Sequence, residues 1–464
     1  MSTEFYRTSP FFTTNRRAFT KNFTISVAYD PTLLIASDPL FTRSTTMKNT
    51  WLKTAIAVAV GAISSQALAS GFALNEQSIS GMGTSFAGRS SSADDASTVF
   101  GNPAGMSRIK REQVSFGIAA INAKTDISDT SGFAAGSNDG DMVPAIGVPM
   151  GYWVKPLDEK VTFGLGIYAP FGLITDYESG FQGRYEGDYS EVRVITFQPT
   201  LSYRFNDQLS VGLGATINRI DGQLESAVPS RVDAPDSRVK IKGDDVAAGF
   251  NIGVLYEFTP STRMGLTYHS KVEYELEGDT RISGNDPLYG AIGAYGKYDA
   301  SLDLTTPEMV DLSITHELND QWTLYAGTSY TRWSRLESIV VQNEGVTPGP
   351  AAANFGTISE EQDWHDTWSY ALGAAYKLNK EWTLRTGVAL DQSPTNNAHR
   401  SPRIPTGDRT AVSFGVAWNP SDDVTVDLAY SYLWEEDTKI NQDFYSATYE
   451  NSAHGFGAGL TYRF

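Results

Sequence analysis

The sequence predicts an all-β fold: a transmembrane antiparallel β-barrel of about fourteen strands, with its lumen plugged by an N-terminal hatch. Three observations carry that reading. Hydrophobicity alternates with a period of two from about Gln113 to Phe464, the pattern of strands with one apolar face. The apolar faces end in Tyr, Trp or Phe, as an aromatic girdle at a membrane interface requires. Short turns also alternate with long polar loops at a regular spacing. The composition agrees, because 42 glycines and 12% aromatics suit a barrel, and the chain has no cysteine and a formal net charge of −18. Without cysteine there is no disulfide framework, zinc knuckle or thiol nucleophile. The acidity excludes a nucleic-acid partner, which would need a basic face.

Taken in order, residues 1–46 mix Ser, Thr, Phe and Arg with no sustained period and read as an unstructured upstream extension. Residues 47–69 have the anatomy of a cleaved signal peptide. Met47 and two lysines precede the apolar run Thr54–Ile63, and Ala67-Leu68-Ala69 supplies a small-residue cleavage site. That run is too short to span a bilayer. Residues 70–112 do not alternate; they are rich in Gly, Ser and Ala. They are too few for an independent domain, and a plug inside the barrel of residues 113–464 accounts for them.

The strands are clearest at the C-terminus. Phe456, Ala458, Leu460, Tyr462 and Phe464 alternate with Gly455, Gly457, Gly459, Thr461 and Arg463. Val424 to Trp434, Val412 to Trp418 and Trp368 to Tyr376 repeat the pattern. Short turns are expected at 155–160, 205–208, 259–262, 318–321, 378–381 and 419–423, roughly 40–60 residues apart, which allows two membrane strands and one long loop each time. Long loops are expected at 128–141, 175–188, 278–297 and 343–363. Six short turns, with both barrel ends on the same side, give the even strand count.

The run Ser70–Met106 resembles the N-terminal hatch of the FadL family of long-chain fatty-acid transporters. The resemblance continues through Thr306–Met309, Ser329–Ser334, Trp382–Gly387, Asp391–Pro394 and Pro405–Arg409 to the terminal strand. It implies a fourteen-stranded barrel in the bacterial outer membrane, where ligands are captured at the outer loops and pass to a lumenal pocket. They then leave sideways beside a kinked third strand. The resemblance places Asn102-Pro103-Ala104 as the hatch motif and Phe72 and Leu74 in the ligand pocket. It places Pro170, Phe171 and Gly172 at the lateral opening. The residues allow plainer readings too: Asn-Pro as a turn starter, Phe72 and Leu74 as packing, and Pro170 as the end of a strand.

A fatty acid needs a cation for its carboxylate. Lumen parity on the strand from Arg263 selects Thr267, His269, Lys271 and Glu273. Lys271, with His269 beside it, is the candidate; an internal ion pair with Glu273 or with an acidic residue of the hatch is the alternative. Arg385 is expected to pair with Asp94 or Asp95. Where the family carries a carboxylate-binding arginine late in the fifth strand, this chain has Ser226. The acidic runs Glu435-Glu436-Asp437 and Asp139-Gly140-Asp141 fall at outer loops, and read as solvated surface or as a cation bridge to lipopolysaccharide. No G-x-S-x-G, Walker A or paired-histidine spacing occurs. The expectation is a monomeric, passive, non-enzymatic importer without cofactor or metal. Its partners are the lipid bilayer, lipopolysaccharide and a long-chain fatty acid or another hydrophobic molecule. An aromatic-hydrocarbon channel, a general porin and a barrel lipid hydrolase are the alternatives.

Overall fold

The computed structural model describes residues 71–464. The upstream extension and the signal peptide lie outside the described residues. The alternating stretches become β1 (Gln113–Gly132), β2 (Ile146–Pro156), β3 (Val161–Asp176), β4 (Tyr189–Arg204), β5 (Leu209–Val228) and β6 (Ser237–Thr259). Four interrupted strands follow: β7 (Thr262–His269 and Val272–Ser283), β8 (Gly296–Thr306 and Met309–Glu317), β9 (Trp322–Thr331 and Ser338–Glu344) and β10 (Thr357–Glu361 and Thr367–Lys377). The wall ends with β11 (Trp382–Asp391), β12 (Arg409–Ser421), β13 (Val424–Glu435 and Thr438–Asn441) and β14 (Tyr445–Arg463). Neighbours in sequence pair antiparallel, and β14 pairs with β1 from Gln113↔Arg463 onward, so the fourteen strands close into a barrel without an edge.

The short turns form for a local reason. Asn206 Oδ1 accepts from the N–H groups of Gln208 and Leu209 at 2.8 and 2.9 Å. Asn319 and Asn379 each do the same with the residues two and three positions on, at 2.9 Å. In these turns an Asn side chain stands in for a backbone acceptor. The strands run further outward than the polar stretches suggest, because β1 continues to Gly132 and β7 to Ser283. Beyond the apolar belt the outward face meets water and becomes charged, as at Glu273, Glu275 and Glu277 of β7, while Val272, Tyr274 and Leu276 are buried on the other face and pairing continues.

Outward faces carry the apolar belt: Phe116, Leu213, Leu324, Leu372, Phe414, Leu428 and Leu460 are all exposed, as are Trp322, Trp382 and Trp418 near the short-turn end. The opposite face is small because the lumen is full. Residues 71–112 lie inside it, with α1 (Ile79–Met82), α2 (Thr98–Gly101) and a 3₁₀ turn (Pro103–Arg108) buried against the wall. A Cβ at Gly457 would lie 3.1 Å from Ile79, and one at Gly212 only 2.3 Å from the backbone of Pro103. These lumen glycines are where the plug approaches the wall.

Polar contacts fix the plug. Asn102 Nδ2 donates to Ser90 O and to Val254 O on β6, at 2.7 and 3.0 Å, while its Oδ1 accepts from Ala104 N–H. Asn102 thus starts the 3₁₀ turn and also ties the plug to the wall. Arg263 donates to Ser91 O and Ser92 O at 2.8 and 2.9 Å. Arg385 pairs with Asp427 at 2.5 Å rather than with Asp94 or Asp95. Asp95 instead accepts from the Ser80 hydroxyl at 2.6 Å and Ser97 N–H at 2.8 Å.

Candidate functional site

The chemistry of the site begins with the kink in β3. Pro170 has no N–H to give a ladder, and the β3–β4 register slips between Tyr168 and Phe171. On the other side the β2–β3 ladder stops at Gly151↔Ile167. Above that point β3 faces β2 without pairing. The freed edge is taken from inside by the plug's first residues. Leu74 N–H donates to Pro170 O and Gly172 N–H donates to Phe72 O, both at 2.9 Å, with Ala73 bridged to Phe171. Gln77 Nε2 adds a bond to Ala169 O at 2.5 Å. Pro170 is therefore an interior kink and does not end the strand.

Beside this edge lies an apolar cavity of about 800 Å³, its open mouth included, lined by Phe72, Leu173, Ile220, Leu276, Leu304 and Ile404 among others. Phe72 is its floor. Its ring sits 4.9 Å from Trp333, 5.7 Å from Phe171 and 6.0 Å from Trp364. Both tryptophans reach inward from the interruptions in β9 and β10: Trp333 from the turn between the two β9 segments, Trp364 from the stretch between the β10 segments. Asp366 holds that break by accepting from Tyr330 Oη at 2.5 Å and Ser334 N–H at 3.0 Å. Glu308 pairs with Arg335 at 2.8 Å.

The structure gathers some of the expected site residues and separates others. Phe72 lines the cavity beside the kink residues. Leu74 is buried against a different cluster, with Tyr168 and Ala169. His269 packs against Phe100 of the plug, ring centroids 4.9 Å apart and tilted, and does not line the cavity. Lys271 and Glu273 form an ion pair with each other. Their expected inward parity does not hold, because the break at Ser270–Lys271 shifts the alternation by one. Past the break Val272, Tyr274 and Leu276 are the buried residues. Glu435 is also not loop surface: it is buried, accepting from Gly407 N–H at 3.1 Å and from Thr406 Oγ1 and Asn451 Nδ2 at 3.0 Å.

Two further groups were not singled out by the sequence. The stretch 392–408 between β11 and β12 folds into the barrel mouth, and Arg400 to Gly407 are all buried. Its Arg403 donates through Nε to Glu360 at 2.9 Å, and through Nη1 to Tyr189 O, Ser190 Oγ and Glu225 O at 3.1 Å. Two arginines in a proline-containing outer loop of so acidic a chain were the available signal. On the plug side of the lumen, Glu76 sits in a polar cavity with Arg89 and Arg409. Burial pushes its carboxyl pKa up, against the pull of Arg409 and Arg89.

A closed, aromatic-girdled barrel that buries part of its own chain as a plug defines a class, the plugged outer-membrane β-barrels. Within it, the chain belongs to the family described as outer membrane protein transport protein (OMPP1/FadL/TodX), whose profile matches residues 60–464. It is 31% identical to the long-chain fatty acid transport protein of Escherichia coli O6:H1 over 455 residues, covering 90% of this chain and 99% of that protein. It also resembles the crystal structure of a Pseudomonas aeruginosa FadL homologue, with a TM-score of 0.76, 26% identity, and coverage of 85% of this chain and all of that one. The Pseudomonas putida toluene transporter TodX shares the fold, with a TM-score of 0.63 and 18% identity over 81% of this chain and 95% of that one. The protein is therefore an outer-membrane transport protein of a Gram-negative bacterium.

Proposed function

We propose that this protein is a passive importer of long-chain fatty acids or similar hydrophobic molecules. The ligand is captured at the outer loops, moves into the cavity above Phe72 and leaves through the wall beside β3. One observation carries this reading: the floor of the apolar cavity and the plug of the wall gap are the same short segment. A chain entering the cavity competes with Phe72 for its aromatic partners. Moving Phe72 breaks the bonds from Gly172 to Phe72 and from Leu74 to Pro170. That frees the β3 edge over Pro170, Phe171 and Gly172 at membrane depth, where an unpaired backbone is tolerated only beside a protein-lined cavity. The Asn102-Pro103-Ala104 anchor stays in place during this step, so only the first residues of the plug shift. The name of the E. coli relative supports acyl ligands, and that of the P. putida neighbour supports aromatic hydrocarbons as a second reading.

The test is uptake of labelled oleic acid by cells that lack their own outer-membrane fatty-acid importer. The expected result is uptake restored by this protein and lost when Pro170 and Gly172 are replaced together by Thr and Val, which straighten the kink. Restored uptake that survives the double substitution refutes the lateral route. If the folded wild type restores no oleic acid uptake but does restore toluene uptake, the aromatic reading replaces the acyl one.

A further inference from the structure

The strap 392–408 divides the outer lumen in two. From its position between β11 and β12 it reaches β4 and β5 through the bonds of Arg403 to Tyr189 O, Ser190 Oγ and Glu225 O, and it is held at Tyr177 and on its own side of the barrel. Pro402 O accepts from Tyr177 Oη at 2.7 Å, and Pro405 O accepts from Asn451 Nδ2 of β14 at 2.7 Å and from Thr438 Oγ1 of β13 at 3.3 Å. Below it lies the cavity over Phe72. Above it lies a second apolar cavity, also about 800 Å³, with Tyr185, Phe355 and Phe444 in its wall. Leu224, Ile241, Ile339, Val341 and Arg403 line both. The neck between the chambers is thus four aliphatic side chains and one guanidinium.

That guanidinium is costly where it stands. Arg403 is only 9% exposed, and a buried charge is retained only with partners. Its carboxylate partner Glu360 has other donors: Ser401 Oγ at 2.7 Å and Gln362 Nε2 at 3.1 Å both reach Glu360 Oε1. Arg403 meets the other oxygen, Oε2. Glu360 therefore keeps two hydrogen bonds if Arg403 turns to another anion. The cradle also fits a planar cation closely, since Gly187 at φ +142 lies against it and a Cβ there would sit 2.6 Å from Arg403 Cζ.

We propose that Arg403 is the anion-selecting residue of the neck, and that the lower chamber takes amphiphiles with a single anionic head, such as a fatty carboxylate, in preference to neutral hydrocarbons. The head replaces Glu360 Oε2 at the guanidinium while the apolar chain runs down toward Phe72. The inference rests on the reading of that chamber as the ligand site, and it chooses between the acidic and the neutral substrate classes. It also assigns the cationic role to the strap, since the late β5 position holds Ser226 and Lys271 pairs with Glu273.

The test measures displacement of cis-parinaric acid from the purified protein in lipid nanodiscs by myristic acid and by myristyl alcohol, at a pH where the acid is ionised. In the wild type the acid should bind roughly tenfold or more tighter than the alcohol, the scale of one hydrogen-bonded charge pair. Arg403→Met should abolish that preference and leave the alcohol's affinity unchanged. Arg403→Lys should restore part of it, and Glu360→Gln should tighten the acid alone. Equal weakening of acid and alcohol in Arg403→Met means a structural role and overturns the proposal, as does an unchanged acid affinity. If Arg403→Met fails to fold, the charge-keeping Lys and the Gln variants decide: no selective effect on the acid in either refutes it. A wild type that displaces cis-parinaric acid with neither compound refutes the chamber reading itself.

Discussion

Glu76 shows what one misfit charge does inside a plug. Its Oε2 is buried with no hydrogen-bond partner among the described residues, and desolvation raises its pKa more than Arg409 and Arg89 lower it. A carboxyl whose pKa is raised by folding holds its proton more tightly in the folded than in the unfolded chain. Its effect is therefore absent well below the ordinary carboxylate range, and stability is lost as pH rises through the raised value. Glu76→Gln removes that loss. The thermal midpoint of the variant should lie above wild type at neutral pH and coincide with it in acid, giving a flatter profile; parallel profiles would contradict the assignment. At this scale legibility was uneven. Asn206, Asn319 and Asn379 were readable as turn residues because the side chain acts on its own neighbours. Arg403 was not readable, because its partners Ser190, Glu225 and Glu360 come from three distant strands.

Among the elements, the unbroken strands were legible and the breaks were not. Phe456 to Phe464 alternate without interruption over the whole lipid-facing part of β14, so period and face are read together. An interruption such as Ser270–Lys271 changes the parity by a single residue, and short apolar runs on either side fit both registers. This is why Lys271 was placed inward and Val272, Tyr274 and Leu276 were not. The breaks in β9 and β10 matter most, because they carry Trp333 and Trp364 into the lumen. Trp333 is fully buried and packs on Phe72, Phe171 and Trp364, with its ring 6.2 Å from that of Phe171. Trp333→Ala removes a large side chain from a closed cluster, and such losses cost about 3–5 kcal/mol. The variant should unfold at a lower urea concentration, and Phe72→Trp in the same background should recover part of the loss. A variant as stable as wild type would mean that the cluster is not packed as described.

For the molecule as a whole, the barrel and the plug are held by different forces, and this makes them separable. The wall closes through backbone ladders from β1 to β14, none of which needs residues 71–112. The plug is held by side-chain bonds, by close packing against lumen glycines and, at its first residues alone, by two backbone bonds to the β3 edge, with Asn102 linking two of its own turns to β6. Asn102→Ala removes the tie to Val254 O and leaves the Ser90 carbonyl and the Ala104 amide without that partner, each buried polar group costing about 1–3 kcal/mol when unsatisfied. The sum is large enough to populate a loosened plug while leaving the ladders intact. In planar bilayers the wild type should stay nearly closed and Asn102→Ala should show open-channel events, because the wall behind the plug is lined by Ser, Thr and Gly. Resistance to unfolding by detergent at room temperature should remain that of the wild type. Conductance without loss of barrel stability is the outcome that separates the two. A variant that stays closed would place the plug's hold elsewhere, with Arg263 and its bonds to Ser91 and Ser92 as the next anchor to remove. A variant that loses the barrel as well would show that wall and plug fold as one unit.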